Sequence, residues 1–123
     1  MNRYPISVDF ADGSKHTATV QFTNPKARPI TFTARLFLAL STAINTPVTN
    51  TLTQTFSVAA NGTKNVTFSN VEIPLITTEV DSITLVSVIQ VLYNNAVIQT
   101  FYGSDPVNAV FTPGIGWGDI IWT

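Results

Sequence analysis

The sequence of 123 residues contains no cysteine, which excludes disulfide bridges, thiolate metal sites and a cysteine nucleophile. Charged residues make up only 11% of the chain and its formal net charge is −1, so it lacks the basic footprint of a nucleic-acid-binding protein. No apolar run approaches the length that spans a bilayer, and the first ten residues lack the continuous apolar stretch of a signal peptide. We therefore expect no nucleic-acid partner, no membrane span and no export signal.

The residues that usually favour exposed helical positions are scarce, since the whole chain has 6 Lys and Arg and 7 Asp and Glu. Thr and Asn supply the polar character instead, and Thr is β-branched and suits the solvated face of a strand. The length is that of one domain that can bury a core without disulfides. The sequence predicts an all-β domain at 1–112, followed by an aromatic tail at 113–123.

The stretch 81–103 contains two long apolar strands that meet at Asn94-Asn95. Two Asn residues suit a type I′ hairpin turn, because both central positions need positive φ, which Asn tolerates better than most residues. That turn sets Gln90 opposite Gln99. The first strand is apolar on both sides, so we expect this hairpin to be the innermost part of the fold.

Alternation of apolar and polar residues predicts further strands. They cover Tyr4–Phe10, Lys15–Thr23, Ile30–Leu40, Gln54–Ala59, Lys64–Ser69 and Val107–Thr112. The parity of the apolar sets favours a three-residue turn at 12–14 that pairs the first two strands and sets Phe10 opposite His16. Asn61-Gly62 predicts a second short hairpin.

Two stretches interrupt this pattern. Residues 41–53 are poor in large apolar side chains and contain Pro47, which predicts a long, mobile loop or a short edge strand. The break at 103–106, before the last short strand, indicates a bulge or a change of sheet.

About seven strands with turn signals at roughly ten-residue spacing are typical of an antiparallel sandwich. Their order over Tyr4 to Phe111 resembles immunoglobulin-like and fibronectin-III-like modules of prokaryotic surface and virion proteins. The sequence departs from true immunoglobulin domains because it has no Cys, and both Trp residues lie at the C-terminal end. The resemblance implies an antiparallel immunoglobulin-like β-sandwich that acts as a structural or interaction module.

His16 is the only histidine and therefore the only candidate for a catalytic base of the Ser-His-Asp kind. No nucleophile motif accompanies it, so we interpret it as a partly exposed strand residue. Asp9, Asp12 and Gly13 gather carboxylates near a turn, but their spacing does not match a calcium loop, and Asp105 and Asp119 belong to other loops. We expect no catalytic residue, no metal and no cofactor.

Three polar features have structural interpretations. The tripeptides that begin at Asn61 and Asn65 fit the glycosylation sequon, but such tripeptides arise by chance in a Thr- and Asn-rich chain, and we interpret them as turn and strand residues. Gln90 and Gln99 are expected to pair across the central hairpin and to penalise register slips. The alternative is that this face is locally exposed and binds a ligand.

The tail at 113–123 is the one segment that a sandwich does not need. Its large apolar side chains are expected to dock, since burying one is worth about 2 kcal/mol. They are Trp117, Ile120, Ile121 and Trp122. The tail can dock on its own domain as an extra strand or lid, or on a neighbouring subunit, where Trp is a favoured anchor and an extended segment can add a strand to an open edge.

The predicted function is that of a non-enzymatic module that works by protein-protein contact, as a homo-oligomer or with other subunits of an assembly. We expect a virion structural protein, associated with the capsid or the tail, made in the cytoplasm. The alternative is a glycan-binding or adhesive module of a larger cell-surface protein. Its candidates for stacking on sugars are Trp117, Trp122, Tyr93 and Tyr102.

Overall fold

The structure, a computed structural model, describes residues 8–103, 106–116 and 118–123. Eight strands follow one another along them. They are β1 (Val8–Ala11), β2 (Lys15–Thr23), β3 (Ile30–Leu40), β4 (Leu52–Val58), β5 (Thr63–Glu72), β6 (Ser82–Tyr93), β7 (Ala96–Tyr102) and β8 (Val107–Val110). The predicted all-β class is confirmed. Within the described ranges no helix has the length and apolar character needed to cross a membrane.

The strands form two sheets of unequal width. The larger sheet has the order β1-β8-β6-β3-β4, with β7 also paired to β6, and the smaller sheet contains β2 and β5. All pairs are antiparallel except β1 and β8, which run parallel. The larger sheet is therefore mixed, which differs from the purely antiparallel arrangement expected from the sequence. It curls into a half-barrel.

One apolar core fills the space between the two sheets. It includes Leu36 and Leu38 of β3, Phe68 of β5 and Leu85 and Ile89 of β6. The predicted alternation along β3 is confirmed, because its even-numbered apolar residues face this core. Residues at the opposite parity of β3 and β6 form a second buried cluster on the other face of the larger sheet. Its members are Phe37, Ala39 and Val88.

The turn predicted at 12–14 is present, but the hairpin around it is not. Gly13 has a φ of 75°, and the Ser14 N–H donates to the Ala11 carbonyl at 3.2 Å. The chain changes sheet at this turn, so β1 pairs with β8 and β2 pairs with β5. A hairpin and a turn that passes to the other sheet both place the same apolar residues toward the core. The alternation of apolar residues therefore cannot distinguish them. Phe10 and His16 still meet, as rings stacked across the sheets with centroids 3.6 Å apart.

At the second predicted hairpin, around Asn61-Gly62, the chain also passes from one sheet to the other. Asn61 has a φ of 54° and forms the expected turn, but β4 belongs to the larger sheet and β5 to the smaller one. Phe56 and Val58 share the core with Val66 and Phe68 without pairing as strand neighbours. The sequence predicted the contact correctly and the hydrogen-bonded partners wrongly.

The central hairpin of β6 and β7 has the predicted turn, because Asn94 and Asn95 have φ values of 50° and 64°. A bulge on β7 at Ile98 then shifts the register by one residue, so that Gln90 faces Thr100. The strands also differ in burial. Five of the twelve residues of β6 are buried, whereas every residue of β7 is exposed, so only β6 is the innermost strand.

The two interruptions of the strand pattern have simple positions in the fold. Within the loop 41–51, Pro47 forms an isolated bridge to Ala39, and the Val48 N–H donates to the Leu38 carbonyl at 2.8 Å. This loop lies along the end of β3. At the second interruption the sheet does not change, because β7 and β8 both pair with the same edge of β6, at its two ends.

Candidate functional site

The base of the C-terminal tail is fixed by Asp12, in the turn between β1 and β2. One carboxylate oxygen of Asp12 accepts from the Thr112 N–H at 3.0 Å, and the other accepts from the Ile76 N–H at 3.1 Å. The Asp12 N–H in turn donates to the Val110 carbonyl, and the Phe111 N–H donates to the Asp81 carbonyl. The tail therefore leaves the domain from a hydrogen-bonded point and not from a loose end.

Beyond Thr112 the large apolar side chains of the tail lie in solvent. Ile115 is 98% exposed, Ile120 67%, Ile121 84% and Trp122 88%. Trp117, the remaining predicted contact residue, lies outside the described residues. Burying apolar side chains of this size lowers the free energy relative to exposure in water. These side chains are therefore available to bind another surface.

The open side of the domain lies between β2 and β7. Within the described ranges β2 is hydrogen bonded to β5 alone, so its other edge is unpaired. The larger sheet continues there as β7, whose inner-face residues Gln99 and Phe101 are exposed. Three cavities of about 580, 500 and 580 Å³ follow one another along β2 from His16 to Pro25. We call this continuous groove the β2 trough.

The walls of the β2 trough are mainly apolar. Its lining includes Phe22 and Val20 of β2, Phe32 and Val91 from the floor, and Phe101 of β7. Neighbouring cavities share lining residues: Val20 and Gln21 link one pair, and Pro25, Phe32 and Gln99 the other. This trough is not predicted by the sequence, because the apolar pattern of 81–103 indicates a hairpin that is buried on both strands.

The side chain of His16 contacts Ser14 and Phe10. Its Nε2 lies 2.7 Å from the Ser14 hydroxyl, and that hydroxyl donates to the Ala11 carbonyl at 2.5 Å. Because the Ser14 hydroxyl donates to Ala11, the His16 tautomer with its hydrogen on Nε2 satisfies the contact between the two side chains. The ring also stacks on Phe10. This geometry gives His16 a packing and hydrogen-bonding role.

The acidic residues near the first turn are directed at separate partners. Asp9 accepts from the Asn108 side chain at 2.8 Å, and both oxygens of Asp12 accept backbone N–H groups. No group of three His, Asp or Glu side chains suited to a metal ion occurs in the part of the chain that the structure describes. Asp105 is outside that part, and Asp119 lies in the tail.

The other polar candidates have the following positions. Gln90 faces Thr100 on β7, and Gln99 faces Val91, so the predicted Gln pair is wrong. The bulge at Ile98 is the cause, and the turn residues alone do not reveal it. Asn61 lies in the β4-β5 turn and Asn65 on β5, both exposed, in agreement with their interpretation as turn and strand residues.

The exposed aromatic residues do not lie on one surface. Tyr93 packs toward Phe32 with ring centroids 6.3 Å apart, on the inner face of the larger sheet. Tyr102 pairs with Val88, which belongs to the cluster on the outer face. Directly opposed residues share a face, so the two Tyr rings point to opposite sides of the sheet. They do not form a coplanar platform for a sugar.

No protein-family model and no curated protein matches this sequence.

Proposed function

We propose that this protein is a non-enzymatic structural module that works by protein-protein contact, through its C-terminal tail. The observation that carries the proposal is the combination of a fixed base and exposed apolar side chains. Asp12 holds the tail at Thr112, and Ile115, Ile121 and Trp122 beyond it are almost fully exposed. A large aromatic residue on an extended segment is a favoured anchor in protein interfaces.

The proposal includes an immunoglobulin-like or fibronectin-III-like fold, and the strand order supports it. In immunoglobulin domains the second and fifth strands lie in one sheet and the third, sixth and seventh in the other. Here β2 and β5 form one sheet, while β3, β6 and β7 belong to the other. Two features depart from a purely antiparallel sandwich: the parallel pairing of β1 with β8, and the position of β4 beside β3.

The proposed setting is a virion, in which the protein is a capsid- or tail-associated component. The low charge of the chain suits a crowded assembled surface. The outer face of β3 and β4 is uncharged at two successive positions, where hydroxyl groups pair across the strands. Thr31 lies 2.7 Å from Ser57 and Thr33 lies 3.1 Å from Thr55, oxygen to oxygen.

The glycan-binding alternative has weaker support. It needs aromatic rings that share one exposed plane, whereas Tyr93 and Tyr102 are on opposite faces of the larger sheet. Trp122 is exposed, but it lies on the tail and not on a sheet surface.

The test compares the mass in solution of the full chain with that of a chain ending at Thr112. Both core clusters lie before that residue, so the shorter chain keeps every buried contact. We expect the full chain to form a larger species as its concentration rises and the shorter chain to stay monomeric, by sedimentation velocity. Two monomers of equal stability would show that the tail makes no contact, and the proposal would be wrong.

A further inference from the structure

We infer that the β2 trough is the receptor for the tail of a second copy of this chain, which it binds as an added strand along the free edge of β2. This inference rests on the proposed function and specifies the surface on which the tail docks. An open strand edge supplies unpaired backbone N–H and C=O groups, and the groove beside it supplies pockets for alternate side chains. The β2 trough offers both.

The dimensions of the tail and the trough agree. The tail has eleven residues, 113–123, and spans about 36 Å when extended, at about 3.3 Å per residue. The free edge of β2 has nine residues, about 30 Å by the same measure, and the trough continues past its end to Pro25. One tail is therefore long enough to cover the whole trough.

The chemistry of the two partners is complementary. The tail is mainly apolar, and its one charged side chain is that of Asp119. Among the described residues that line the trough there is no carboxylate, and the two cations, Lys26 and Arg28, stand together at one end. Gly114, Gly116 and Gly118 alternate with larger residues, so an extended tail presents side chains on one face of its first half and bare backbone on the other.

The tail does not occupy the trough of its own domain. Ile115 and Ile121 are almost fully exposed, which is incompatible with insertion into the apolar groove beside β2. Within 113–123 no described residue belongs to a strand. A tail bound to a different copy makes a heterologous contact, which propagates from molecule to molecule into a ring or a filament. This geometry suits a subunit of an assembly.

The test uses three full-length variants and sedimentation velocity over a range of concentrations. Ile120→Asp/Ile121→Asp places charge in the tail, where the exposed positions do not threaten folding. Phe101→Asp places charge in the trough, and Tyr102→Asp is its matched control, on the same strand with similar exposure but on the opposite face. We expect the tail and trough variants each to weaken association at least tenfold and the control to leave it within twofold.

Mixing supplies a second measurement. The tail variant keeps an intact trough, and the trough variant keeps an intact tail, so a mixture of the two is expected to form pairs and nothing larger. If Phe101→Asp lowers the melting temperature, Gln99→Arg replaces it, since Gln99 lines two of the cavities and is exposed. Formation of pairs only on mixing requires a tail from one molecule and a trough from another.

Other results would overturn the inference in distinguishable ways. If only the tail variant loses association, the tail docks elsewhere, and the proposed function stands without this receptor. If the wild type is monomeric at every concentration while emission from Trp117 and Trp122, the two Trp of the chain, shows buried rings, the tail binds its own domain. If association appears only after residues 2–7 are removed, those residues are the occupant. If no variant changes association, both proposals fail.

Discussion

The strands β6 and β7 are joined by two residues and are similarly apolar, yet β6 contains five buried residues and β7 contains none. Leu85 and Val88 of β6 are inaccessible to solvent, whereas Phe101 and Tyr102 of β7 are nearly half exposed. The difference arises from their neighbours, because β6 has β3 on one side and lies under the two-strand sheet, while β7 lies at an edge beyond its cover. Apolar composition therefore identifies a strand whose side chains favour burial. The width of the opposing sheet determines whether they are buried within the same molecule.

The largest expected effect is on the buried strand. Leu85→Ala removes a fully buried side chain from the core and should lower the free energy of unfolding by about 2 to 5 kcal/mol. Phe101→Ala on β7 is the matched change, and we expect it to cost about 1 kcal/mol, since nearly half of that side chain is already in water. Urea unfolding measures both. Equal losses would show that β7 is as well covered as β6.

Asn24 and Gln99 allow the same comparison between a buried and an exposed polar residue. Asn24 is fully buried, and its amide donates to the carbonyls of Arg28, Val58 and Ala59. Asn24→Ala removes the donor that these carbonyls share, and although the Ala59 carbonyl keeps its bond from the Gly62 N–H, the change should cost about 1 to 3 kcal/mol. Gln99→Ala on β7 is the control and should stay within about 0.5 kcal/mol. A negligible loss for Asn24→Ala in the same urea titration would mean that water replaces its amide.

The turn at Asn94-Asn95, which connects β6 and β7, allows a further test. Asn95 has a φ of 64°, a conformation in which Asn offsets the steric cost of its Cβ by local hydrogen bonds of its short polar side chain. Alanine keeps the Cβ and lacks those bonds, so Asn95→Ala should cost about 1 to 2 kcal/mol, whereas Asn95→Gly, which removes the Cβ, should be tolerated. Thermal unfolding in parallel for the two variants checks this. If alanine and glycine gave the same midpoint, the turn would not have the left-handed conformation.

The smallest effect on stability is expected for the tail, whose described large apolar side chains are exposed. Removal of 113–123 should change the free energy of unfolding of the dilute protein by less than about 0.5 kcal/mol, because the described side chains of this segment are exposed. Chemical denaturation at concentrations below the onset of association is the measurement. A clear loss of stability in dilute solution would mean that the tail packs on its own domain.

The sequence predicted local features well and strand partners less well. The Asn94-Asn95 turn, the turn at 12–14 and the alternation along β3 depend on nearby residues, and all three are present. The partners of β1 and of β4 depend on which sheet the chain enters after a turn, and the apolar pattern is the same in both cases.

In the candidate site, too, features that depend on nearby residues could be predicted and features that depend on the assembled sheets could not. Ile120, Ile121 and Trp122 could be selected from the sequence, because they are large apolar residues after the last core strand. The β2 trough could not, since it results from the difference in width between two sheets. The bulge at Ile98, which separates Gln90 from Gln99, also depends on packing across strands.

The hydrogen bonds at the base of the tail have a mechanical consequence. A pull on the tail reaches the domain at Thr112 and passes into β8, which is flanked by β1 on one side and β6 on the other. The ladder bonds run across the strands, so a force directed along β8 loads both ladders together in shear instead of opening them one bond at a time. The domain is thus built to bear tension along the segment by which, in our proposal, it is linked to its neighbours.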